Sequence, residues 1–234
     1  MIRRSRGYAP LPFMTSVDWK GQVLAVGGEL KNTFCIGVDS RFYPSPYVGD
    51  LEDLRTVKAL QETIRFRTLL EVEPQVVVCD LHPKYNSTVV AEKLGYPMLQ
   101  VQHHYAHVLS CMTENDCQEP VIGVAFDGTG YGTDGTVWGG EILLADYENF
   151  TRAGSIAPFL QIGGDISAKE GWRIAVSMIY EYTKDREQAW KIMEKLGLCS
   201  EQESKVQFTM ADRKLNAVVS TSVGRLFDAV SAIL

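Results

Sequence analysis

The sequence predicts an α/β fold built as two related lobes, and three observations lead there. Short apolar segments of strand character alternate with segments whose apolar residues recur at helical spacing. A three-strand meander opens that alternation, and a second meander restarts it near Val121. A glycine-rich segment follows the restarting strand directly, where a chain turns its backbone toward a ligand.

Taken in order, residues 1–20 carry Pro10 and Pro12 with little periodicity and read as a connector, with Arg3, Arg4 and Arg6 as a small basic cluster. Strands are expected over 23–28, 33–38 and 42–48, turned at 29–32 and 39–40. Asp50 is the expected cap of a helix over 51–72, in which Leu51, Leu54, Val57, Leu60, Ile64 and Leu69 recur at roughly helical spacing. A strand over 75–79 ends at Asp80, a helix over 86–94 is stopped by Gly95 and Pro97, and a strand over 98–101 feeds a helix running to about Glu114. The pattern then restarts with a strand over 121–126, a turn over 127–135, and strands over 137–147 and 151–157. Helices follow near 168–181, 186–195 and 223–234. The expected organisation is a connector (1–20), a first lobe (21–118) and a second, partial lobe (119–234). The last helix has neither cap nor polar tail, so the second lobe is expected to be incomplete and the chain a fragment.

A formal net charge of -6 argues against a nucleic-acid surface as the main business. No apolar run approaches bilayer length, and the first residues carry no signal-peptide core. The five cysteines are scattered with no Cys-x-x-Cys pair, which fits a reduced, cytoplasmic setting and argues against a cysteine-based zinc site.

The chemistry concentrates in two segments. All four histidines lie between His82 and His107, and three fall in the run His103-His104-Tyr105-Ala106-His107. On a helix, His103 and His107 project from one face a turn apart, the spacing that helix-borne metal ligands use. A pair of solvated or core histidines is the competing reading. In the second segment, Asp127-Gly128-Thr129-Gly130-Tyr131-Gly132-Thr133-Asp134-Gly135, a strand, a glycine-rich hairpin and a returning strand are arranged as in two-lobed phosphotransferases. A long hairpin whose glycines serve only its turns is the alternative. Asp127 could complete a His-His-Asp metal site or orient magnesium on a nucleotide. Gly139-Gly140-Glu141 repeats the close-approach signal more weakly, and Lys31, in the first hairpin, would be the cation of a second phosphate loop or part of a plain turn. Lys169 and Arg173 could meet an anionic substrate or form a solvated face, and Asp228 is a single charge in an apolar helix.

In this order, residues 3–10 (RRSRGYAP), 27–34 (GGELKNTF), 49–52 (GDLE), 79–83 (CDLHP), 101–107 (VQHHYAH), 127–141 (DGTGYGTDGTVWGGE) and 224–229 (GRLFDA) resemble the carbamoyltransferase domain of HypF-type nickel–iron hydrogenase maturation proteins. That domain is similar to the tRNA threonylcarbamoyl-transferase family. The resemblance implies an ASKHA fold (actin, heat-shock ATPase and sugar kinase, RNase H-like) of two lobes, with a metal and a nucleotide between them. It also implies an activity: carbamoyl phosphate and ATP become carbamoyl adenylate, and the carbamoyl group passes to the C-terminal cysteine of HypE, which dehydrates it to a cyanide ligand of the hydrogenase iron. His103, His107 and Asp127 would be the metal ligands, for zinc or iron(II). Gly128, Thr129, Gly130, Tyr131 and Gly132 would form the phosphate hairpin for ATP with magnesium, supported by Gly139, Gly140, Glu141, Gly224 and Lys31. Asp228 would hold the ribose, and His104 has no assigned role. The family's acylphosphatase-like, cysteine-rich zinc and YrdC-like domains, and a further aspartate ligand, would lie outside this sequence. A serine–histidine–aspartate set is not visible, so the attacking thiol would come from the partner. A tRNA threonylcarbamoyl-transferase-like enzyme and a non-catalytic HypE-docking module are the competing functions.

Overall fold

The computed structural model describes residues 11–234. The basic cluster of Arg3, Arg4 and Arg6 and the 3–10 stretch lie outside the described residues. The chain divides into two compact units between Glu119 and Pro120.

In the first unit, β1 (Phe13–Met14), β2 (Gln22–Ala25), β3 (Cys35–Val38) and β4 (Arg41–Pro44) precede α1 (Leu54–Ile64). Then come β5 (Val76–Asp80), α2 (Asn86–Lys93), β6 (Met98–Val101) and α3 (His103–Glu114). The sheet order is β1-β4-β3-β2-β5-β6. β2, β3 and β4 form the expected antiparallel meander, whereas β2, β5 and β6 run parallel. Parallel neighbours need long crossovers, and α1 and α2 lie in them. Leu24, Ile36, Leu60, Ile64, Val77 and Val90 form the core, which closes α1 and α2 onto the sheet. Fully burying such a side chain contributes about 1.5–3 kcal/mol.

Three expectations need correction here. The connector contains β1, paired with β4 through Phe13 opposite Phe42, whose rings stack 5.1 Å apart. The cap of α1 is Asp53, whose carboxylate accepts the Arg55 N–H at 2.8 Å. Asp50 instead accepts the Lys31 N–H at 2.7 Å and ties the first hairpin to the helix entry. The expected long helix stops at Ile64 and continues only as a 3-10 turn, Arg65–Leu70, because Glu71 turns left-handed (φ 55) and Pro74 forbids helix behind it.

The second unit begins with β7 (Val121–Tyr131), β8 (Val137–Ala145), β9 (Phe150–Ser155) and β10 (Phe159–Ile162). They are followed by α4 (Trp172–Thr183), α5 (Arg186–Leu196), α6 (Glu201–Arg213), β11 (Ala217–Ser220) and α7 (Val223–Ile233). β7, β8 and β9 make the second meander. β9 takes the Glu141–Ala145 end of β8, and β11 runs parallel to the other end, Ser220 facing Val137. β10 pairs antiparallel with β11. Phe159, Ile174, Ala175 and Ala229 pack β10, α4 and α7 together, and Val176, Ala189, Met193 and Phe208 add α5 and α6. Gly171 is required by packing, since a Cβ there would sit 2.4 Å from the Asp228 carbonyl oxygen.

The glycine-rich segment is also corrected. β7 continues as strand through Tyr131, with a register shift between Phe126 and Gly130, and the reversal is confined to the residues after it. β10, α6 and β11 were not expected at all. Ser200 and Glu203 form a reciprocal capping box at the start of α6, a signal present in the sequence. No helix among the described residues is long and apolar enough to cross a membrane.

All five cysteines are free thiols. Burial pushes Cys35 up to about 12 and raises Cys79 and Cys199 as well. A raised pKa lowers the thiolate fraction, and the thiolate is what alkylates. Iodoacetamide at about pH 8 is therefore expected to label exposed Cys111 first and Cys35 last, read by timed peptide mass spectrometry. Equal rates at the two would mean that the first sheet opens in solution.

Candidate metal centre and glycine-rich hairpin

β6 passes into α3 with only Gln102 between them. Gln102 caps the helix: its Oε1 accepts the Tyr105 N–H at 2.9 Å, and its Nε2 lies 3.2 Å from Nδ1 of His104. His104 is fully buried and thus buttresses the helix start, pointing away from solvent. His103 and His107, one turn apart on α3, bring their Nε2 atoms within 3.2 Å of each other. Two nitrogens about 2.0–2.1 Å from one tetrahedral zinc ion stand about 3.3 Å apart. The spacing fits two ligands of one ion, and equally an N–H···N hydrogen bond between the two rings.

Asp80 ends β5 opposite Val101 in the parallel register, which sets it beside the first turn of α3. It is buried, its Oδ2 lies 2.7 Å from Nδ1 of His103, and its Oδ1 accepts the His82 N–H at 2.9 Å. The sequence assigns Asp80 no role at the site; its signals are the strand end, the neighbouring histidine and its place in the 79–83 stretch. A cavity of about 220 Å³ adjoins these groups, walled in part by Gly27, Gly28, Cys79, Asp80, His103 and His107. Gly27 has φ +75 and a Cβ on it would lie 2.1 Å from the Thr33 carbonyl oxygen, so no other residue fits that wall.

Other expected residues of the first unit lie elsewhere. Lys31 is exposed in a left-handed turn (φ 51), outside the cavity wall. Glu29, from the same hairpin, caps α2 by accepting the Asn86 N–H and side-chain amide, each at 2.7 Å. His82 stacks on Tyr85 and its Nδ1 accepts the Lys84 N–H at 3.2 Å. Desolvation lowers its pKa, which keeps that nitrogen an acceptor.

In the second unit, Asp127 lies within β7 and accepts the Gly128 N–H at 2.6 Å. The Gly128 carbonyl accepts the hydroxyl of Ser222, the cap of α7, at 2.5 Å. A Cβ on Gly224 would lie 2.9 Å from Gly128 Cα, so this contact joins the strand to the start of α7 backbone to backbone. Among the described residues a Cβ on Gly128 itself would meet nothing within 4 Å. Thr129 is exposed, and Gly130 and Tyr131 pair with Trp138 and Val137. The reversal is closed by the Gly132 N–H on the Thr136 carbonyl at 2.9 Å and by Asp134, which accepts from Thr136 and from Trp138 Nε1.

Gly139 and Gly140 turn their N–H groups inward. Both donate to Oε1 of Glu141, at 3.1 and 3.3 Å, and Glu141 is 0% exposed. Its Oε2 accepts Arg152 Nε at 2.7 Å, and the Thr221 hydroxyl donates to its Oε1. Arg152 also reaches Asp134 at 3.1 Å and Thr221 at 3.2 Å, and lies 4.3 Å over the Trp138 ring. Hydrogen bonds to Thr136 and Trp138 and the Arg152 charge hold the Asp134 carboxyl below its ordinary value, outweighing the desolvation that raises it. Asp228 accepts Arg225 Nε at 2.6 Å on α7. Thus Asp127, Gly128 and Gly224 come together, whereas the Gly139-Gly140-Glu141 set forms an internal network with Arg152 that sequence reading missed.

Two family models match the chain: "HypF Kae1-like domain" over residues 18–114, and "Carbamoyltransferase, Kae1-like Domain, second subdomain" over 123–234. The probable carbamoyltransferase HypF of Methanocaldococcus jannaschii is 36% identical over 239 residues, covering 100% of this chain and 31% of the relative. The carbamoyltransferase HypF of Rhizobium leguminosarum bv. viciae is 37% identical over 234 residues, covering 99% and 30%. A crystal structure of full-length HypF in the phosphate- and nucleotide-bound form superposes with a TM-score of 0.91 at 39% identity, over 99% of this chain and 30% of that one. T. kodakarensis HypF gives 0.85 at 32%, over 100% and 32%. The chain therefore spans about 30% of the length of these relatives. With one model on each side of the boundary between its compact units, the chain belongs to the HypF-type carbamoyltransferase family.

Proposed function

We propose that this chain performs the carbamoyl-transfer step of hydrogenase maturation on an ASKHA-type, two-lobed framework. Carbamoyl phosphate, ATP and one water give carbamoyl adenylate with release of phosphate and pyrophosphate, and the acceptor is the C-terminal cysteine thiol of a HypE-type partner, on the way to the cyanide ligands of the hydrogenase iron. In the transfer itself the cysteine sulfur bonds to the carbamoyl carbon, the bond from that carbon to the adenylate oxygen breaks, AMP leaves, and the thiol proton passes to solvent. The observation that carries this reading is the His103–His107 pair, with its Nε2 atoms at ligand spacing beside a cavity.

His103 and His107 would hold a zinc or iron(II) ion, with Asp127 from the second unit as a third ligand. Two imidazoles and a carboxylate are a donor set suited to either metal. When bound, such an ion supplies Lewis acidity and a cationic clamp on the carbamoyl and phosphate oxygens. The chain's own groups do the rest. The backbone of Gly128–Gly132 would cradle ATP with magnesium. Gly224 keeps the start of α7 against that strand, and Asp228 would meet the ribose.

The test gives the purified chain a HypE-type partner and magnesium, with carbamoyl adenylate generated from carbamoyl phosphate and ATP by separately supplied acylphosphatase-like and YrdC-like domains of a HypF relative, and follows the partner's C-terminal peptide by mass spectrometry. Carbamoylation that requires the chain and is lost with its metal is the expected result. A partner that binds but stays unmodified would reduce the chain to a docking module, and neither binding nor modification would end the proposal.

A further inference from the structure

We infer that Asp80 is the positioning residue that turns His103 into a metal ligand. The inference rests on the metal reading of the His103–His107 pair proposed above. An imidazole can coordinate through Nε2 only if that nitrogen presents its lone pair, and the neutral ring then carries its hydrogen on Nδ1. Nδ1 of His103 lies 2.7 Å from Oδ2 of Asp80, a buried acceptor with no hydrogen of its own when ionised. The other oxygen, Oδ1, accepts the backbone N–H of His82 at 2.9 Å. Both carboxylate oxygens are thus committed, and the group cannot rotate without abandoning a buried N–H. The ring is held with Nδ1–H toward Asp80 and the Nε2 lone pair toward His107, 3.2 Å away. Carboxylates placed behind ligating histidines act this way in metal sites generally.

Asp80→Asn discriminates sharply. The His82 N–H still requires an oxygen, so the new amide keeps Oδ1 there and presents its NH₂ to His103. That donor needs a bare Nδ1, which moves the ring hydrogen to Nε2 and removes the lone pair. Zinc affinity, measured by competition with a chromophoric chelator, is expected to fall about 10–100-fold. Asp53→Ala, which removes a cap in the same unit, is expected to leave it unchanged. Independently of any metal, ¹⁵N NMR of the imidazoles in metal-free wild-type protein at about pH 8, above the ordinary histidine range, should show the Nδ1–H tautomer for His103. Asp80→Asn should show Nε2–H.

Wild-type protein with His103 in the Nε2–H form would overturn the inference, as would an Asp80→Asn protein with wild-type zinc affinity. If Asp80→Asn does not fold, the wild-type tautomer decides alone. Wild-type protein that binds no zinc while His103 keeps Nδ1–H would refute the metal reading and leave the orientation of His103 by Asp80 standing.

Discussion

The double variant His103→Ala, His107→Ala is expected to purify without transition metal, falling from about one ion per chain to background in elemental analysis. Both imidazoles come from one turn of α3, so the variant removes two ligands while leaving the helix its cap at Gln102 and its buried face of His104, Tyr105, Val108 and Met112. Alanine is a strong helix former, and His107 is exposed with His103 only partly buried, so the far-ultraviolet circular dichroism should be unchanged. Loss of metal with loss of fold would therefore point elsewhere. Metal content equal to that of the wild type in a folded double variant would dismiss this pair as ligands. Each single variant should retain a fraction of the affinity, since a remaining imidazole still offers one nitrogen.

Much of that candidate site was legible in the sequence because the histidine pair is local. A helix starting at the histidine run follows from an apolar strand ending at Val101, and i,i+4 spacing alone then brings the two rings to one face, whereas the Gln102 cap is seen only in the structure. Asp80 was not legible as their partner. It lies 23 residues from His103, and what joins them is the parallel register of β5 on β6, a property of the sheet and of no segment by itself.

The hairpin shows a different limit. The hairpin glycines, and Gly139 and Gly224 outside it, are expected as amide donors for an anion, but the last two serve backbone packing. Gly224 is glycine because the backbone of β7 lies against it, and a Cβ on Gly139 would sit 2.7 Å from the Asp127 carbonyl oxygen. Close approach to a ligand and close approach to another strand leave identical marks in a sequence. Only the partner identifies which is meant. The short strands β10 and β11 went unseen because they pair with each other across the whole helical segment between them, and α6 because its surface is polar. Ser200 and Glu203 announced α6 all the same.

Arg152→Ala is expected to destabilise the second unit by about 3 kcal/mol, the lower end of what removing one partner of a buried ion pair costs. Glu141 is 0% exposed, and Arg152 supplies its counter-charge; the arginine itself is partly exposed, and water that enters the space it leaves softens the loss. Three donors remain to the stranded carboxylate: the N–H groups of Gly139 and Gly140 and the Thr221 hydroxyl. They are neutral and cannot replace a charge. Glu141→Gln should cost less, about 1–3 kcal/mol, because the amide oxygen still accepts from those donors and Arg152 keeps Asp134. The double variant Arg152→Ala, Glu141→Gln should then be more stable than Arg152→Ala alone, a non-additivity that two unrelated sites would not give. Urea unfolding measures all three. Hydrogen exchange should locate the damage at Gly139 and Gly140 and at Thr221, whose N–H bonds Val137 at 2.9 Å beside the pairing of β11 with β8. An Arg152→Ala protein within about 0.5 kcal/mol of wild type would mean that the base of the hairpin owes nothing to the Arg152–Glu141 pair.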